Sequence, residues 1–256
     1  MNLIGNNLPQ QANSIVDVGQ VLFKKSYKIT DKIIMRQSTV GDVIEMGEEH
    51  YFHVLNLLTA IPSDAKSSLW DAGLDWEEVP DLQFFAMAVG GLKPEDTQIF
   101  IPGVDFTKFA LYKRDDGDFV FADKVNCITV DVMVHKKILD YLCAVHKIKK
   151  KPEKAGSALT KQWLIEEDRD KRKMAAAKKD KSFKSDLMPL VSSMVNHEGF
   201  KYDYETVMGL PFGQFMDAAA RVQLIVSVDK IISGIYAGTV DGKKVAKSQL
   251  DWTRAI

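Results

Sequence analysis

Between Lys147 and Lys184 the chain runs through fourteen Lys or Arg and six acids, and its helical part offers almost no apolar stripe outside Trp163, Leu164 and Ile165. Such a stretch cannot wall a hydrophobic core, so any core must come from the sequence on either side. It also carries a local charge of +8 in a chain of net charge −1, leaving −9 on the remainder. Molecules divided in this way attract acidic partners, polyanions or their own second copy.

The two flanks are rich enough to fold. The 256 residues are 46% hydrophobic and 27% charged, the balance of a globular protein of one large domain or two modest ones. Two cysteines, Cys127 and Cys143, are too few for a disulfide scaffold. The opening MNLIGNNLPQQANS lacks the basic flank and apolar run of a signal peptide, and no stretch of 18 apolar residues occurs. Synthesis in a reducing cytoplasm and no membrane association are the expectation.

On the N-terminal side, residues 1–20 read as an Asn/Gln-rich arm whose order depends on a partner. Tyr27 to Met35 predicts a strand or short hairpin. Thr39 with Asp42 three residues on forms an acidic capping box, and Val43, Ile44, Met46, Phe52, Leu55 and Leu58 continue it as one helix of about 20 residues ending before Pro62. From Ser63 to Asp96 eight acids face two lysines among Leu69, Trp70, Leu74, Trp76, Val79, Leu82, Phe84 and Phe85, which fits two short helices, the second from Pro80-Asp81 to Gly90-Gly91. Strands are expected at Gln98 to Ile101, Phe109 to Lys113, Asp118 to Phe121 and Val125 to Val130, with Asp116-Gly117 as a hairpin turn. Asp131 caps a helix with an inward stripe at Val134, Ile138, Leu139, Leu142, Val145 and Ile148.

The lysines, Pro152 and Gly156 in HKIKKKPEKAGS, from His146 to Ser157, predict a linker without packed structure. A charged helix follows from Thr160 to Asp180, polar on nearly all sides, which either projects into solvent or lies on a partner. Beyond Asp186 come a short helix and a long apolar one from Pro211 to Ala237, the spine of a helical domain that also packs Leu250 and Trp252. The fold class is therefore α+β: an N-terminal arm (1–20), an α+β domain (21–150), a basic linker and charged helix (151–185) and an all-helical C-terminal domain (186–256).

Catalytic patterns are weak. G-x-S-x-G and Walker A motifs are absent. Cys127, His135, Cys143 and His146 offer one closely spaced pair where zinc sites ordinarily bring two, so buried cysteines are preferred to a metal site. His50 and His53 are three apart rather than four, and read as a solvated helix face. Glu77-Glu78 with Asp64 and Lys66 fails as a nuclease cluster, since no strand pattern carries it. No catalytic residue, cofactor or metal is assigned. The basic helix suits polyanion binding through counterion release, with Trp163 for stacking, but its interspersed acids favour protein contact.

Four stretches, ITDKIIMRQSTVGDVIEMGEEHYF, AIPSDAKSSLWDAGLDWEEVPDLQFF, GSALTKQWLIEEDRDKRK and EGFKYDYETVMGLPFGQFMDAAARVQLIVSVDKIISGIYAG with its later KSQLDW, are spread along the chain from Ile29 to Trp252. Through them it resembles tail-module proteins, tail-assembly or baseplate components, from phages and prophages of Gram-positive bacteria. The first 20 residues and the Asp116-Gly117 hairpin lie outside the likeness. The resemblance implies a non-enzymatic protein of the virion tail, or of the host cytoplasm during assembly. It would act by contact with other tail or baseplate proteins or with a tape-measure protein, as a homo-oligomer or within a symmetric assembly. The residues expected to make these contacts are Trp163, Arg169, Lys171, Arg172 and Lys173 of the charged helix and Trp70, Trp76 and Asp81 of the acidic segment. The two oppositely charged segments are expected to meet between copies or with a neighbouring tail protein. A nucleic-acid-binding regulator and an unrecognised enzyme are the rival classes.

Overall fold

A computed structural model describes residues 18–115, 117–178 and 183–254. All but the last three residues of the N-terminal arm, Asp116 of the hairpin turn and the end of the charged helix at 179–180 lie outside them. The architecture is α+β, with helices predominating around two small antiparallel sheets.

After a short helix α1 (Val18–Phe23), the hairpin β1 (Ser26–Lys28) and β2 (Ile34–Arg36) pairs Tyr27 with Met35 across its centre. Thr39 opens α2 (Val40–Met46) with the predicted capping box, its Oγ1 accepting from Asp42 N at 3.1 Å while Asp42 Oδ2 accepts from Thr39 N at 2.7 Å. The single long helix expected here is two. Gly47 takes φ +87°, a conformation helices do not contain, and redirects the chain into α3 (Glu48–Leu58). The acidic segment then supplies α4 (Lys66–Asp71), α5 (Asp81–Val89) and a single turn α6 (Pro94–Thr97).

The strand expected at Gln98 to Ile101 does not form. Pro94 sits at the first position of α6, and the Thr97 carbonyl accepts from Phe100 N and Ile101 N, so the apolar trio 99–101 closes a helical turn. The remaining strands form one sheet, β3 (Ala110–Lys113), β4 (Phe119–Asp123) and β5 (Ile128–Val130), in sequential antiparallel order. Asp131 caps α7 (Val132–His146) by accepting from Val134 N at 2.8 Å.

Past α7 come the charged helix α8 (Ala158–Lys178), then α9 (Leu187–Val195) and α10 (Phe212–Tyr236). One core runs through both flanks of the charged segment. It joins Val21, Met35, Tyr51, Leu55, Phe85, Phe100, Phe121 and Tyr141 to Leu187, Val191, Phe212, Phe215 and Ala219. Close approach makes this continuity: a Cβ on Gly213 of α10 would lie 2.9 Å from the Val145 carbonyl oxygen of α7. Glu48, at the start of α3, accepts from Ser185 Oγ at 2.5 Å and from Asp186 N and Leu187 N at 3.2 Å, so it caps α9 from a distant part of the sequence.

The far half of α10 is less enclosed than its apolar sequence suggests. Leu224 and Val228 are buried, whereas Ile225 and Tyr236 are exposed, and Trp252, expected to pack on this helix, is largely in solvent. Among the described residues no helix is long and apolar enough to cross a membrane.

Candidate interaction surface

Residues 147–157 adopt no helix or strand, but they are not a free linker. Lys150 and Glu153 find opposite charges in the acidic segment, and the backbone finds its side chains. Lys150 Nζ lies 2.6 Å from Asp64 Oδ2, and Glu153 Oε2 lies 2.6 Å from Lys66 Nζ. The Trp76 indole donates to the Glu153 carbonyl at 3.3 Å, and Ala155 N donates to Glu77 Oε1 at 2.5 Å. These contacts tie the segment to the acidic stretch, where the linker expectation had it free.

Helix α8 continues the pairing against α4. Ile165 is buried with Ala60, Leu69, Trp76 and Phe84, and Leu164 packs beside them as a second, smaller core. Polar contacts ring it. Asp168 Oδ2 accepts from Ser67 N at 2.9 Å, from Ser67 Oγ at 2.6 Å and from Arg172 Nε at 3.0 Å. Burial pushes the Asp168 carboxyl up, but the bonds from Ser67 and Arg172 outweigh it and hold its pKa below the ordinary value. Arg172 also donates to Ser68 Oγ at 2.6 Å and to the Asp64 carbonyl at 3.2 Å. Arg169 reaches Asp71 at 2.6 Å and Glu166 one turn away. Lys161 bridges Asp75 and Glu77, which raise its pKa, and lies 4.8 Å above the centre of the Trp76 ring.

The two-signed surfaces expected to meet between molecules therefore meet inside one chain. The i,i+3 and i,i+4 geometry explains the division of labour on α8. Lys161, Leu164, Ile165, Asp168, Arg169 and Arg172 share the face toward α4. Leu159, Trp163, Asp170 and Met174 share the opposite face, where Leu159, Trp163 (62% exposed) and Met174 stand as apolar side chains among charges. Lys171 pairs with Glu167 at 2.6 Å and Lys173 with Asp170 at 3.6 Å, both along the helix surface.

Each residue assigned to partner contact thus has a definite place. Trp163, Lys171 and Lys173 face outward, and Arg169 and Arg172 are engaged with their own chain. Trp70 is exposed beside the α4 to α8 contact, whereas Trp76 is 2% exposed and faces inward. Asp81 begins α5 at an exposed position, its carboxyl raised by desolvation and partly offset by the Lys136 charge. Sequence reading missed Lys161, Asp168 and Glu153. Lys161 and Asp168 were signalled as charges on the α8 face that also carries Ile165, whereas Glu153 precedes the helix and no local pattern marks it.

Other ionisable groups are arranged for packing. His146 Nδ1 donates to the Leu142 carbonyl at 2.8 Å, which leaves Nε2 to accept from the Tyr51 hydroxyl at 2.6 Å. Burial lowers the pKa of His146, and of His135 on the same helix, to about 4. Cys143 is half-buried, its thiol raised to about 11 by desolvation, and Cys127 is exposed at a turn. Among the described residues no group of three or more His, Cys, Asp or Glu is placed to hold a metal ion. An open cleft of about 520 Å³ lies between Phe23, Lys25 and the 202–214 segment, lined by Tyr202, Glu205 and Gln214.

Comparison with known proteins bears on the C-terminal part alone. No curated protein and no solved structure matches the chain significantly. Residues 177–256, just under a third of the chain, match the family model described as the YomV second domain, YomV being a Bacillus phage or prophage protein. The segment that contains α9 and α10 is thus similar to a phage-related domain.

Proposed function

We propose that this protein is a non-enzymatic component of a phage tail module, resident in the tail or baseplate or engaged in its assembly, and that it works through protein contacts. The observation that carries the reading is the outer face of α8. Its inner face is neutralised by the protein's own carboxylates, and what it offers outward is Leu159, Trp163 and Met174 set among paired charges. Exposed aromatic and Met side chains with an alternating charged rim are the composition of protein-binding patches. The similarity of residues 177–256 to a phage-related domain supports the phage setting, and the likeness of the longer sequence stretches supports the tail.

The nucleic-acid reading is less favoured. Of the basic residues in the charged segment, Lys150, Lys161, Arg169 and Arg172 are paired within the chain across the fold, which reduces the potential available to phosphates. Quantitative mass spectrometry of purified particles tests the main proposal. A resident tail protein is present at a fixed ratio to other tail subunits, and an assembly chaperone is absent from particles but recovered with tape-measure or tube protein from cells making them. Absence from both, together with salt-sensitive binding of bare DNA, would overturn it.

A further inference from the structure

The far half of α10 is closed on one side only. The chain after Tyr236 folds back along it: Val240 sits over Gly234, where a Cβ would come within 2.7 Å of Val240 Cγ2, and Ile235 lies against Gly242. Arg221 then anchors the tail, its Nη1 donating to the Trp252 carbonyl at 2.8 Å and the Arg254 carbonyl at 3.0 Å. Leu224 and Val228 are buried. On another side Ile225, Asp229, Ile232 and Tyr236 follow one another at alternating four- and three-residue steps, the spacing of a helix-packing seam, while Ala218 and Val222, earlier in the same row, pack partly on the chain's own core. Tyr236 is 88% exposed at its end.

The charges on this face say what covers it. Among the described residues the partners of Arg221 are the Trp252 and Arg254 carbonyls, and Asp229 forms no ion pair. They lie two turns apart, about 12 Å along the axis, with Ile225 midway between them. We infer that α10 takes a second copy of this chain, antiparallel, about a two-fold axis at Ile225. That symmetry sets Arg221 of each copy against Asp229 of the other, two reciprocal ion pairs flanking apolar contacts of Ile225 and Val226. Tyr236 of each copy then falls beside the turn from Gln214 to Ala218 of the second. A parallel pairing places Asp229 against Asp229 and is disfavoured by like charge. The contact uses half a helix from each copy, so the association is weak and concentration-dependent.

Sedimentation velocity of the full chain, from low to high micromolar concentration, tests this. The wild type is expected to pass from monomer to dimer, with the transition moving to higher concentration as salt is raised. Asp229→Arg, which disturbs no contact the structure gives, is expected to stay monomeric, as is Arg221→Glu. An equimolar mixture of the two is expected to recover the dimer, because each reciprocal pair regains opposite signs. If Arg221→Glu releases the tail and melts early, Asp229→Arg alone decides, with Ile225→Lys as its apolar counterpart. A wild type that stays monomeric throughout, an Asp229→Arg protein that dimerises as the wild type does, or a mixture of two folded variants that stays monomeric would each overturn the inference.

Discussion

Replacing Asp168 by Ala removes a carboxylate on which three donors converge: Ser67 N at 2.9 Å, Ser67 Oγ at 2.6 Å and Arg172 Nε at 3.0 Å. Ser67 stands in the first turn of α4, where its amide has no helical acceptor, and it is 2% exposed. Stranding a buried donor costs about 1–3 kcal/mol. Arg172 keeps Ser68 Oγ and the Asp64 carbonyl, so its share of the loss is small. A destabilisation of about 2–3 kcal/mol is expected for Asp168→Ala, set against under about 0.5 kcal/mol for Lys171→Ala, whose pair with Glu167 lies along an exposed helix face. Asp168→Asn keeps an acceptor and is expected to fall between them. Urea unfolding followed by far-UV circular dichroism gives the values, and amide exchange over 66–71 and 158–178 locates them. A change below about 0.5 kcal/mol for Asp168→Ala, with protection of α4 and α8 unchanged, would refute the argument that this carboxylate fastens the charged helix.

Acid is expected to weaken the fold through His135 and His146. Both have folded pKa values lowered to about 4 by burial, against about 6.5 in the unfolded chain. Below pH 6.5 the unfolded state binds protons that the folded state refuses. Stability therefore falls by up to about 1.4 kcal/mol per pH unit for each histidine until the pH nears the folded values. Melting midpoints at pH 7 and pH 5 should differ by several degrees, and His146→Gln should lessen the difference; a flat profile contradicts the burial argument. Gly213→Ala is expected to cost about 1–3 kcal/mol in urea titration, because the new methyl meets the Val145 carbonyl, and a neutral result would show that α7 and α10 separate easily. Trp163→Ala is expected to leave stability within about 0.5 kcal/mol of the wild type while reducing co-purification of the tail partner at least tenfold; an unchanged yield would remove Trp163 from the interface.

What the sequence reveals depends on how local its causes are. The Thr39 capping box, the Asp131 cap and the stop of α10 near Gly238 need only a few neighbouring residues, and each is found where it was read. The break at Gly47 was missed because the apolar period runs through it, while a single positive φ overrides the period. Ile99, Phe100 and Ile101 have the residue types of a strand, yet Pro94 starts a helical turn that consumes them. The largest revision concerns the charged helix. Its polar character is plain in the sequence, but whether its counter-charges belong to another molecule or to residues 64–77 depends on contacts a hundred positions apart, such as Ser67 with Asp168. Trp76 followed the same course: an aromatic residue among acids reads as surface, until Lys161 and the Glu153 carbonyl close over it.

The outward face of α8 is proposed to bind protein in phage assembly. A photoreactive residue in place of Trp163, irradiated in cells producing particles, tests it most directly. A covalent adduct with another phage structural or assembly protein is expected, absent when the same residue replaces inward-facing Ile165 in a variant that still folds. Adducts to nucleic acid alone, or equal adducts from both positions, would contradict it.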